Sequence, residues 1–212
     1  MRALSSALHS TLLPCGGVNP EANERLTAAA AAVLFLLLAA EGVTILFIRP
    51  LLSAHMFIGM LLIPPVALKL ASTGWRFARY YAGAREYVAK GPPLLPLRML
   101  APVVVASTVA VFATGVALLV RGPGRGIVLG LHKASFVVWL VATGIHVLAY
   151  LPRVPRLAVA DWRLRRPSPA GGFVRRTLVA GALVAGVVLA VATLGYMHPW
   201  AHWVGAFHGG DH

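Results

Sequence analysis

Three histidines, His55, His132 and His146, lie inside apolar stretches of a 212-residue chain. An ionisable side chain at the centre of a membrane helix costs about 2.5–3.5 kcal/mol, so such residues ask for a function. His132 and His146 are 14 residues apart. In a helix that separation is about 21 Å, and fourteen steps of about 100° return to within about 40° of the same face. Two imidazoles so placed suit ligation of stacked haem groups in a helix bundle, because a haem iron takes axial imidazoles from facing helices. His55 lies one turn into a different apolar stretch and shares a depth with His132. Gly59, Gly130 and Ala134 near these histidines would let a flat macrocycle approach the backbone, although small residues also serve ordinary helix packing. The plain alternative for each histidine is a hydrogen bond to a carbonyl.

Other polar groups share the apolar stretches. Glu41 and Lys133 are each about 10 Å from the outer end of their helices by rise, and buried ionisable groups usually pair. An ion pair between them is therefore expected; the alternative is that Glu41 orients a histidine ligand. Lys69 stands 14 residues after His55 and level with His146. A lysine snorkelling to the interface is cheaper than one that gives up its proton to bind iron. Met56, Met60 and Trp139 read as packing residues. In the tail, His198, His202, His208 and His212 crowd together. The first two, four apart, have the spacing of a copper or zinc site if the last helix reaches them, but Pro199 argues against that continuation. Cys15, the single cysteine, excludes an internal disulfide and any cysteine-built cluster.

These groups are carried by elements of a membrane protein. Hydrophobic residues make up 58% and charged residues 12% of the chain, against about 25% charged in soluble domains. Mean hydropathy is +0.78, which excludes a soluble enzyme or a disordered tail. Five stretches approach the roughly 20 apolar residues needed to span hydrocarbon: about Leu26–Ile48, Leu52–Trp75, Met99–Val120, Ile127–Leu151 and Leu178–Met197. Pro64 and Pro65 should kink the second. The net charge of +13 reflects loop composition rather than nucleic-acid binding. Arg76, Arg79, Arg85, Lys90 and Arg98 follow span two, and seven arginines from Arg153 to Arg176 follow span four. Only Arg49, Arg121 and Arg125 lie on the other side. By the positive-inside rule the two basic loops are cytoplasmic. The expected organisation is a cytoplasmic tail over 1–25, a five-span domain over 26–197 and an extracytoplasmic His-rich tail over 198–212. Trp75, Tyr80, Tyr81 and Tyr87 mark one interface, Trp200 and Trp203 the other, and the stretch from Arg76 to Tyr87 is expected on the membrane surface.

The stretches Leu131-His132-Lys133-Ala134-Ser135-Phe136 and Gly144-Ile145-His146-Val147, with His55-Met56-Phe57-Ile58-Gly59, resemble the membrane cytochrome b subunits of bacterial formate dehydrogenases and nickel hydrogenases. The resemblance covers spans two to four and rests on three histidines plus topology. It implies an all-α integral membrane bundle of five helices with a haem-binding core in spans two to four. It further implies that His55 and His132 are axial ligands of one haem b. The family's inner haem takes a second histidine from the first helix, and span one here has none, so His146 lacks its partner and one haem is expected rather than two. The implied activity is electron transfer between a quinone or redox partner subunit and another carrier, in a respiratory chain of the cell membrane. No nucleotide-binding loop, nucleophile triad or carboxylate pair occurs, so no substrate chemistry of the chain's own is expected. A haem-free membrane scaffold or small transporter is the alternative.

Overall fold

The computed structural model describes residues 20–89, 95–124, 126–150 and 172–206, and these are helical apart from turns. The elements are α1 (Pro20–Leu46), α2 (Ile48–Tyr81), α3 (Arg85–Val88), α4 (Leu95–Arg121), α5 (Ile127–Tyr150), α6 (Gly172–Ala192) and α7 (Leu194–Ala206). Four helices are long and apolar enough to cross a membrane, or five if the bent pair α6 and α7 counts as one span. This is compatible with a multi-pass membrane protein. The outward-facing surface is apolar, with side chains such as Leu36 and Leu148 well exposed, as lipid contact requires.

Sequential helices form hairpins. The connection between α1 and α2 is Phe47 alone, with the reversal completed at Leu51, whose φ of −108° and ψ of 16° interrupt the helix. Pro64 and Pro65 lie within α2, yet the non-helical backbone falls at Leu51 and not at the prolines. The expected kink is thus no break in the helix. The second hairpin joins α4 to α5 through Gly122, whose φ of +80° admits the left-handed cap. Its N–H donates to the Leu118 carbonyl at 3.0 Å. Gly83, at φ +75°, serves the turn after α2, which runs to Tyr81 before it. Residues 76–81 therefore prolong the spanning helix, and only α3 is separate from it.

The α1–α2 pair packs against α6, while α5 packs chiefly along α4. Helices α2 and α5 are not among the closely packed pairs. Met60, Leu119, Ala190 and Met197 are buried together, with Met56, Phe57, Leu61, Ile63, Val116 and Leu189 around them. Met56 and Met60 are thus core residues. The fifth expected span is broken at Thr193, where α6 and α7 meet at 51°. That break restarts the helix before Pro199, so the proline lies inside α7, contrary to the expected stop. Trp200 is buried rather than facing an interface. Two buried hydroxyls are satisfied within α4: Ser107 donates to the Val103 carbonyl at 2.7 Å and Thr108 to that of Val104 at 2.6 Å.

Candidate functional site

The turn ends of the two hairpins come together at two imidazoles. The rings of His55 on α2 and His132 on α5 have centroids 6.4 Å apart and planes at 74°. Each hairpin anchors its own histidine, and in each case the first helix holds a ring carried by the second. In the first hairpin, the Glu41 carboxylate lies 2.8 Å from His55 Nδ1, with the Glu41 and His55 side chains 13% and 21% exposed. Thr44 Oγ1 stands 3.1 Å from the same nitrogen and donates to the Glu41 carbonyl at 2.6 Å. In the second hairpin, His132 Nδ1 lies 3.2 Å from the Val111 carbonyl and 3.1 Å from Thr114 Oγ1. Thr114 donates its own proton to the Ala110 carbonyl at 2.6 Å.

These contacts set the tautomers. A carboxylate and a carbonyl can only accept, so Nδ1 of both rings carries the proton. The other nitrogen, Nε2, then has its lone pair available, and among the described residues it has no hydrogen-bond partner in either ring. An imidazole held through Nδ1–H with a free Nε2 is the arrangement in which histidine binds metals. The close approach at the second hairpin needs Gly115, where a Cβ would lie 3.2 Å from His132 Cε1. Gly59 sits beside Glu41, its Cβ position 3.7 Å from Oε1.

The expected Glu41–Lys133 ion pair is replaced by the Glu41–His55 contact. Lys133 is exposed and lines a shallow recess at the start of α5 with Gly126, Ile127, Leu129 and Gly130. Equal depth is the reason the expectation erred: it compares heights and ignores which face of each helix is turned inward. Glu41 faces α2 across its own hairpin, whereas Lys133, next to His132 in sequence, is turned about 100° away from it.

At the opposite end of the first hairpin, Lys69 Nζ donates to the Thr27 carbonyl at 3.1 Å. Thr27 Oγ1 donates to Ser72 Oγ at 3.1 Å, which in turn donates to the Lys69 carbonyl at 3.0 Å. Lys69 is therefore fastened to α1 instead of extending freely to the interface. His146 is half-buried and close enough to Lys69 for the two to interact electrostatically. α1 carries no histidine. Trp139 stacks on Phe136 at 6.1 Å. Among the described residues, no group of three or more His, Cys, Asp or Glu side chains could hold a metal ion. His198 is exposed; the side chain of His202, together with Cys15, His208 and His212, lies outside what is described.

Thr44, Thr114 and the Val111 carbonyl are site groups that sequence reasoning missed. A detectable signal existed for the threonines, since each interrupts an apolar run near the C-terminal end of the helix preceding a histidine-bearing one. Comparison with protein-family models, with curated proteins and with solved structures finds no match for this chain.

Proposed function

We propose that the protein is a membrane b-type cytochrome that carries electrons through one haem held between His55 and His132. The observation that carries this reading is the pair of facing imidazoles, each fastened at Nδ1 and each open at Nε2. With ring centroids 6.4 Å apart, the two imidazoles are close enough that both could serve one metal ion if it were bound. The loose association of α2 with α5 supports the same reading, because a macrocycle between two ligand helices keeps them from packing directly. Haem iron supplies one-electron chemistry when bound. The chain's own residues orient the two rings and keep their ligand nitrogens deprotonated. Its apolar surroundings limit water access, which is one of the levers on a haem potential.

One haem per chain is the count we propose, because α1 carries no histidine and a Lys69 ammonium donating to Thr27 is a hydrogen-bond donor rather than a ligand. Electrons would be exchanged with a quinone or a redox partner subunit in the cell membrane. The two basic loops and the N-terminal tail would lie on the cytoplasmic side and the His-rich tail outside.

The test is a visible spectrum of the purified protein with a pyridine haemochrome assay. A Soret band that sharpens on reduction and about one haem per chain are expected. His55→Ala and His132→Ala should each abolish the low-spin spectrum, whereas His146→Ala should retain it. Folded protein without haem would leave the scaffold or transporter reading in its place.

A further inference from the structure

The two ligand candidates are not equivalent. His132 Nδ1 meets neutral oxygens only, those of Val111 and Thr114. His55 Nδ1 meets a carboxylate at 2.8 Å, itself mostly buried. Among the described residues no lysine or arginine forms an ion pair with Glu41, and the exposed Lys133 leaves that carboxylate to His55. The Thr44 hydroxyl can donate either to the Glu41 backbone carbonyl at 2.6 Å or to Glu41 Oε2 at 3.3 Å, the shorter contact being to the backbone. The carboxylate is thus aimed at His55 Nδ1 from the helix preceding the one that bears the imidazole.

We infer that Glu41 is a positioning residue that sets the redox potential of the site by polarising His55. This rests on the haem reading proposed above. A hydrogen bond from an imidazole N–H to an anion is about twice as strong as one to a neutral acceptor. It draws the Nδ1 proton towards oxygen and raises the donor strength of Nε2, the effect by which carboxylate partners make histidine a more basic metal ligand. A more basic ligand, with a negative charge behind it in an apolar setting, favours the more positive oxidation state of the iron. The low dielectric makes this larger than at a surface. Glu41 therefore holds the potential low, and the carbonyl-bonded His132 contributes much less. The same contact also fixes the ring's tautomer, so it orients the ligand as well as tuning it. The alternative role, a buried pair that only stabilises the hairpin, makes no claim on the potential.

The experiment is a redox titration of the purified, haem-bearing protein, with the low-spin spectrum recorded for each variant. Glu41→Gln keeps the shape and replaces the carboxylate by a neutral acceptor. Its low-spin spectrum should persist, and its ferric–ferrous equilibrium should shift about tenfold towards ferrous, a rise of about 59 mV for one electron. Glu41→Asp, which keeps the charge at longer reach, should shift less in the same direction. It carries the test if the glutamine variant fails to accumulate. Thr114→Val, altering the neutral side, should move the equilibrium by less than about threefold. A haem-bearing Glu41 variant with an unchanged potential overturns this inference and leaves the cytochrome reading standing. So does a folded Glu41→Gln protein that has lost its haem. Absence of haem from the unsubstituted protein overturns both.

Discussion

Gly186 on α6 faces the backbone of α2 with no room for a side chain. A Cβ there would collide with the Leu61 carbonyl oxygen and lie 3.2 Å from its carbon and 3.4 Å from Leu61 Cα. The obstructing atoms are backbone inside a helix and cannot rotate away. Gly186→Ala must therefore push α6 off α2 by on the order of 1 Å, and overpacking of this kind costs about 1–3 kcal/mol. The residues that lose contact are identifiable: Ala190, fully buried one turn along, and Met60, Leu61 and Leu189 around it. A gap of about 0.5–1 Å forfeits a quarter to a half of each dispersion contact, worth about 0.1–0.2 kcal/mol apiece. Ten to twenty such contacts across the seam, on the order expected for a few buried side chains, reach the lower part of that range. Against this runs the helix propensity gained by replacing glycine, about 1 kcal/mol at most. The net expectation is a loss of up to about 2 kcal/mol, or up to about 8 °C in melting temperature for a chain of this size. Thermal unfolding of the detergent-solubilised protein measures it. Gly181→Ala, on the exposed side of the same helix with nothing within 4 Å, is the control and should be neutral or slightly stabilising. A Gly186→Ala protein as stable as this control would refute the close seam between α2 and α6.

Gly115→Val should displace the His132 ring, since even the first carbon would sit 3.2 Å from Cε1. Haem retention in the pyridine haemochrome assay should fall about tenfold or more, corresponding to about 1–3 kcal/mol of overpacking. Gly115→Ala asks the ring to move only a few tenths of an ångström and should lose much less. Orientation is testable in a background where Cys15 is replaced by serine. Pro123→Cys, in the turn between α4 and α5, should react with an impermeant maleimide in intact cells, and Ala84→Cys, in the turn after α2, only after permeabilisation. Equal labelling of the two, or the reverse order, would refute the proposed topology.

The all-helical, apolar character of this chain and the positions of its first four long helices were legible in the order of residues alone. The reason is that hydrocarbon thickness imposes a length on each span, and a run of apolar residues records that length directly. The start of the second span near Leu52 was legible as well, because Leu51 is where the backbone leaves helical geometry. Depth was readable in the same way: the shared level of His55 and His132 follows from their distances to the ends of parallel spans. The direction each side chain takes around its helix was not, because every face of a membrane helix can be apolar and the pattern has no polar side to orient it. Glu41 therefore seemed matched to Lys133 by height, when the hairpin turned it towards His55. Thr44 and Thr114 became anchors only when each first helix folded back along the second. The break at Thr193 likewise has no strong signal in a continuous apolar run, and it is set by how α6 and α7 each meet the core around Met60 and Met197. The amino-acid order thus determined which stretches form long apolar helices and at what level along them each polar residue stands. Tertiary packing decided which of them face one another, because that depends on rotation about helix axes, and a uniformly apolar helix leaves the choice to its neighbours.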